Sequence, residues 1–251
     1  MIGRGRPKGR PRTTRTSGER PLIVEIVGPA AAGKTTLIRL LCGDGHEIRS
    51  GIDVASIRSA AIFSAKAASF LPVWLLQRPR GRWFTWREVK SLAFLDLWYR
   101  EVERGRPSGV MATLLDHGPL YRLTSLREFG PGMAHSKRFE RWWSAAFDRW
   151  RGTVDIVVWL DAPDELLLER VERRGHWYLS ADRSMEEKHE FLGRYRGALT
   201  TMLAAFGEGD PTVLRFDTER TSATEIADRV RAALVSRLAA SESSDVGRSS
   251  V

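Results

Sequence analysis

The chain has 251 residues and a mass of 28.3 kDa, enough to bury one substantial core. Apolar residues make up 42% and charged residues 28%, a globular balance that excludes a wholly disordered chain. The net charge is +9, but residues 1–20 carry seven basic side chains against Glu19, so six of those nine charges sit on one short arm. No uncharged apolar run approaches the roughly 18 residues of a membrane span; residues 67–77 come nearest. No apolar stretch follows the basic N-terminus, as a secretory signal would require. A single cysteine, Cys42, excludes an intrachain disulfide and a multi-cysteine zinc site. A cytoplasmic protein is expected.

Residues 1–20 are rich in Gly, Pro, Arg and Thr, lack apolar periodicity, and read as a disordered basic arm. Residues 22–27 form a near-continuous apolar run, as in a strand buried on both faces of a parallel sheet. A helix over 35–42 follows, then a weakly signalled strand at 46–50. The pattern next predicts a helix over 86–104 and a strand over 110–115. Helix 137–151 precedes strand 154–160, and helices 163–174 and 184–206 precede strand 212–216. A last helix covers 222–238, and 239–251 reads as a disordered tail. This alternation predicts one α/β domain over 21–238, a three-layer α/β/α fold with a parallel sheet.

One motif carries chemistry. Gly28-Pro29-Ala30-Ala31-Ala32-Gly33-Lys34-Thr35, followed by Thr36, fits G-x-x-x-x-G-K-[ST] and lies between a buried strand and a helix. The glycines permit a tight loop whose amides face phosphate oxygens, and the helix N-terminus adds its positive dipole end. Lys34 is placed to reach the β- and γ-phosphates of ATP, and the Thr35 hydroxyl to ligate Mg²⁺. Residues 28–36 are therefore the expected nucleotide-binding segment.

Such a loop needs an acidic partner. Asp116 and Asp161 each follow a buried strand, at the carboxyl end where ligands bind in open α/β sheets. Asp116 opens the sharp Asp-His-Gly-Pro turn and is preferred as the carboxylate that serves Mg²⁺ and the acceptor. Asp161 suits an N-cap of the helix after Pro163. Further on, Glu169-Arg170-Val171-Glu172-Arg173-Arg174 ends an amphipathic helix and enters a polar segment. Arginines on a closing lid would neutralise a moving phosphoryl group, and Arg170 and Arg174 are the candidates. The plainer reading is a solvated helix face with an i,i+4 pair between Glu169 and Arg173.

With VEIVGPAAAGKTT, LLDHGP, VVWLDAPDELLLERVERRG and FDTERTSATEIADRV in place, the chain resembles P-loop kinases of the nucleoside and nucleotide kinase group, with the layout of thymidylate kinases. The resemblance spans about 22–238. It implies a five-stranded sheet of order 2-3-1-4-5, ATP and Mg²⁺ as cofactors, and transfer of the γ-phosphate to a small-molecule acceptor, a nucleoside or nucleotide. It matches Asp116 to the acidic residue that assists acceptor and Mg²⁺, Asp161 to the aspartate of L-D-x-P, and Arg170, Arg173 and Arg174 to the helix-to-lid cations. Three positions depart from that pattern. Ala30-Ala31 stand where an Asp-Gly is usual, His117 stands where an arginine follows the aspartate, and no R-E-P segment is visible around 49–56. A non-nucleotide acceptor such as a sugar or glycan precursor is the first alternative, and an ATP-switched binding module the second.

The acceptor is expected within 44–109, where aromatic residues interleave with arginines; Trp83 and Arg87 are the first to test. The spacing of Trp86, Val89, Ala93 and Leu97 indicates that part of this stripe is core. The aromatics of helix 137–151, Trp142, Trp143 and Trp150 among them, are expected to pack on the sheet rather than bind a partner. The arm contains Arg4-Gly5-Arg6-Pro7, similar to an AT-hook, and weak salt-sensitive polyanion binding is what its charge supports. The sequence leaves the oligomeric state open, a homodimer included.

Overall fold

The computed structural model describes residues 21–43, 47–52, 61, 63–65, 68, 85–104, 109–173, 184–207 and 211–246. Its centre is β1 (Leu22–Val27), with all six residues buried. β2 (Ile48–Ser50), β3 (Ala112–Asp116), β4 (Ile156–Asp161) and β5 (Thr212–Asp217) complete a parallel sheet of order β2-β3-β1-β4-β5. The order is the one the resemblance implied. β3 starts two residues later than its apolar run and includes Asp116, which pairs in register with Ile26 of β1.

Helices cover both faces. α1 (Lys34–Cys42), α5 (Asp164–Arg173) and α7 (Ala223–Val246) pack on the face that carries Leu22, Val24 and Ile26. α2 (Trp86–Glu103), α3 (Pro119–Phe129), α4 (Lys137–Arg151) and most of α6 (Met185–Leu203) pack on the face of Ile23 and Val27. Two apolar layers thus sandwich the sheet, and the alternation of β1 side chains assigns its residues to one or the other.

Three differences from the sequence reading have physical causes. α3 was not expected, because Gly118-Pro119 reads as a turn; Pro at the first helical position instead starts the helix, and Leu120, Leu123 and Leu126 bury its inner face. Trp86 is 54% exposed rather than core, since it opens the first turn of α2, where a Thr85–Glu88 capping box starts the helix. Val89, Ala93 and Leu97 are buried as expected. α7 runs on to Val246, so the expected tail is helical over its first eight residues; no glycine or proline interrupts it before Gly247. The arm 1–20 lies outside the described residues.

Candidate active site

The loop after β1 is shaped by three residues with left-handed or otherwise positive φ: Gly28 at 145°, Ala31 at 62° and Gly33 at 94°. Gly28 must be glycine, because a Cβ there would lie 2.1 Å from the Leu160 carbonyl oxygen. Gly33 has open space around it, so only its backbone conformation favours glycine. Ala31 bears a Cβ in the region where a non-glycine residue costs about 1–2 kcal/mol. This is one of the two positions where the resembling family has Asp-Gly. Ala31 packs on Val171 of α5, with Ala30 and Phe191 alongside.

Gly33 is the N-cap of α1 and no side chain caps the helix, so none occupies the amides of its first turn, where Thr35 and Thr36 are exposed. Lys34 is only 8% exposed. Its Nζ donates to the carbonyl oxygens of Gly28 at 2.9 Å and Pro29 at 2.7 Å. The ammonium thus lies folded over the loop, a short side-chain swing from any anion the amides gather. The loop is also held from behind: the Gly28 N–H donates to the Tyr195 hydroxyl at 3.3 Å. Burial raises the Tyr195 pKa, so this phenol stays neutral.

β3 delivers Asp116 beside the loop. Its Oδ1 is buried and accepts no hydrogen bond from the described residues; His117 Nδ1 lies 3.4 Å away outside hydrogen-bond geometry. His117 has a φ of 53° and sets its ring edge-on to Tyr121 at 4.4 Å. An acidic oxygen left without a donor at the sheet edge fits a cation. Thr35 and Asp116 are the residues that would hold Mg²⁺, an ion that keeps waters and phosphate oxygens for most of its ligands. Among the described residues no group of three or more His, Cys, Asp or Glu gathers that could hold a metal ion.

Asp161 has a different environment. Arg196 of α6 forks onto it, Nε at 2.8 Å and an NH₂ group at 3.0 Å, and the same guanidinium donates to the Ala162 carbonyl and to Asp164. His189 also lies 2.8 Å from Asp164, and these partners hold the Asp164 carboxyl below its usual range against burial. Asp161 therefore neither caps α5 nor presents a free carboxylate. Its acceptor capacity goes to Arg196 and the Ala162 N–H.

The cations read as a lid separate. Arg170 donates to Thr218 Oγ1 at 3.0 Å and to the Thr218 carbonyl at 3.2 Å, tying α5 to the turn after β5. Arg173 pairs with Glu169 on an exposed helix face, the plainer arrangement. Arg174 lies outside the described residues. Where the chain returns, Lys188 is buried at the start of α6 with its Nζ 3.9 Å from Glu172 Oε1. In the segment where the acceptor was expected, Trp83 is outside the described residues, and Arg87 sits on the first turn of α2. Phe63, Phe94 and Trp98 form a ring cluster at 5.0 and 5.6 Å, and the Arg122 guanidinium of α3 stacks over Phe94 and Trp98. In α4, Phe139, Trp143, Phe147 and Trp150 are buried as expected, with Trp143 Nε1 donating to the Leu123 carbonyl.

Glu25, Tyr195, Arg196 and Lys188 were not found from sequence. Glu25 had a readable signal, a lone carboxylate in a strand expected to be buried on both faces. The others meet their partners only through the tertiary fold.

No protein-family model and no curated protein sequence matches the chain. Among solved structures, the thymidylate kinase of Candida albicans matches with a TM-score of 0.50 and 14% identity, over 86% of this chain and 92% of that one. A deoxyadenosine kinase from M. mycoides with bound dCTP gives 0.48 and 12%, over 86% and 100%. A shikimate kinase from Acinetobacter baumannii in complex with shikimate gives 0.45 and 14%, over 87% and 95%. The likeness to the thymidylate kinase places the chain in the P-loop kinase fold.

Proposed function

We propose that the protein is an ATP- and Mg²⁺-dependent phosphotransferase acting on a small-molecule acceptor of the nucleoside or nucleotide class. The observation that carries this reading is the pairing of two features at one sheet edge. One is a positive-φ loop with its lysine folded over it; the other is a buried aspartate oxygen without a donor on the adjacent strand.

In this reading the amides of residues 28–36 hold the triphosphate of ATP. Lys34 follows the charge on the β/γ bridge, and Thr35 and Asp116 hold Mg²⁺, which when bound neutralises charge on the phosphates. The acceptor oxygen forms a bond to the γ-phosphorus as the bond to the bridging oxygen of ADP breaks. Asp116 orients the acceptor hydroxyl or phosphate, and a hydroxyl proton passes to that carboxylate or to solvent. Little proton chemistry is needed, since positioning and electrostatics supply most of the rate. Arg174 carries over from the resemblance as the cation that would neutralise the moving phosphoryl group, and Arg170 holds α5 to Thr218.

A second acceptor class is favoured by a specific residue. His117 replaces the arginine that would clamp an acceptor phosphate, which suits an uncharged or sugar acceptor. Incubation with labelled ATP and a panel of nucleosides, nucleotides and sugars tests both. Transfer to nucleosides or nucleotides supports the first reading, and transfer to sugars alone replaces it with the second. ATP hydrolysis with no acceptor used would instead leave a nucleotide-switched binding module.

A further inference from the structure

Glu25 has no part in the chemistry above, yet it is the most deeply buried charged residue described, at 0% exposure. It sits in β1, three residues before Gly28, on the face toward α3. Its Oε2 accepts the Leu120 N–H at 2.8 Å and its Oε1 the Tyr121 N–H at 2.8 Å. These two amides are second and third in α3, whose own N-cap, Gly118, offers no side chain. A helix start normally takes its cap from an adjacent residue. Here the cap arrives from 95 residues away, out of the strand that carries the phosphate loop.

The fit is close on both sides. A Cβ on Gly118 would stand 2.7 Å from Glu25 Cδ, although the backbone there, at φ −68°, is open to any residue. Glycine at 118 therefore makes room for the carboxyl group; no unusual turn requires it. The clamp encloses the Asp116-His117-Gly118 turn: β3 pairs with β1 up to Asp116, and Glu25 grips the chain again at Leu120. His117, between them, takes a left-handed φ of 53°, a conformation that persists only when its flanks are fixed.

We propose that Glu25 is a positioning residue: by capping α3 from inside the sheet it fixes the Asp116–Gly118 turn and holds the Asp116 carboxylate in place beside the phosphate loop. This rests on the reading that Asp116 serves the Mg²⁺·ATP site. Glu25 is closed off from solvent and bonded to the Leu120 and Tyr121 amides, so it acts through the turn. The arrangement couples β1 to both walls of the site, since the same strand leads into Gly28.

The test is calorimetry of the full chain with ATP, with Mg²⁺ and with EDTA, for the wild type, Glu25→Gln, Asp116→Asn and the double variant. The affinity gained on adding Mg²⁺ should fall about tenfold in Glu25→Gln, the scale on which residues that orient a metal ligand act. Asp116→Asn should lose it as well, and the double variant should be no worse than Asp116→Asn. ATP affinity in EDTA should stay equal across the set; a merely structural defect would lower both arms together. Gly118→Ala pushes the same contact apart from the α3 side without altering the carboxylate. It should reproduce the loss, which covers the case that Glu25→Gln does not fold. A wild-type Mg²⁺ gain in folded Glu25→Gln or Gly118→Ala, alongside a loss in Asp116→Asn, overturns the inference. A silent Asp116→Asn in a chain that binds ATP overturns it through the role of Asp116. The absence of any ATP binding removes the phosphotransferase reading itself.

Discussion

At Gly28 the chain turns where a single methyl group would collide with the Leu160 carbonyl, so Gly28→Ala must displace either the loop or β4. Overpacking of this kind costs about 1–3 kcal/mol, and denaturant unfolding of that variant should show the loss together with weakened ATP binding. The two aspartates separate at the same scale. Asp116→Asn should cut turnover about 10²-fold or more while leaving the fold intact, as for a group that positions and stabilises reacting oxygens. Asp161→Ala removes the main partner of a guanidinium that is three-quarters buried. It should lower stability by about 1–3 kcal/mol, with the loss read by thermal unfolding. If Asp161→Asn instead lowers turnover as Asp116→Asn should, the carboxylate has been misassigned. The contiguous motif 28–36 was readable because its spacing is its mechanism. Arg196 on Asp161 and Tyr195 on Gly28 were not, since they join residues 35 and 167 positions apart.

Among elements, β1 and β4 were legible because parallel strands buried on both faces are apolar throughout, as Leu22–Val27 and Ile156–Asp161 are nearly so. α3 was hidden by its Gly-Pro start and by arginines interleaved with its leucines. It matters, because α3 carries the amides that Glu25 caps and the carbonyl that receives Trp143. Trp143→Ala should cost about 3–5 kcal/mol, measured by denaturant unfolding, since it removes a buried indole and its bond to Leu123. The contact between β1 and α3 also has a pH signature. Burial raises the Glu25 carboxyl from 4.5 to about 8, against the pull of the Tyr121 and Leu120 amides and of Arg122, and with Asp116 adding to the rise. Between those values the folded chain holds a proton that the unfolded chain has released. This contribution to stability is therefore complete below about pH 4.5 and is lost as pH climbs to about 8. The difference in unfolding free energy between wild type and Glu25→Gln should fall with pH across that window, with a slope approaching ~1.4 kcal/mol per unit. A difference independent of pH would show that Glu25 is ionised throughout.

At the scale of the whole molecule, the five-stranded order β2-β3-β1-β4-β5 puts Asp116 and Asp161 on the strands flanking β1, one on each side of the loop. The sequence-level order came from resemblance rather than periodicity, because strand order depends on crossovers that local pattern does not encode. No described helix is long and apolar enough to cross a membrane. Two-thirds of the net positive charge sits on residues 1–20, so binding of the full chain to a polyanion should weaken steeply with salt and vanish when those residues are removed. Filter binding of DNA at two ionic strengths checks this. ATP with Mg²⁺ at a hundred times its dissociation constant should stabilise the fold by about 2.7 kcal/mol, and Lys34→Ala, binding at least about tenfold more weakly, should cut that gain to about half or less. Titration of Mg²⁺·ATP into the wild type and into Lys34→Ala, followed by calorimetry, tests the central claim most directly. A saturable heat in the wild type, with affinity at least about tenfold weaker in the variant, is the expected result. No heat with any nucleoside triphosphate, or equal affinity in the two proteins, would contradict it.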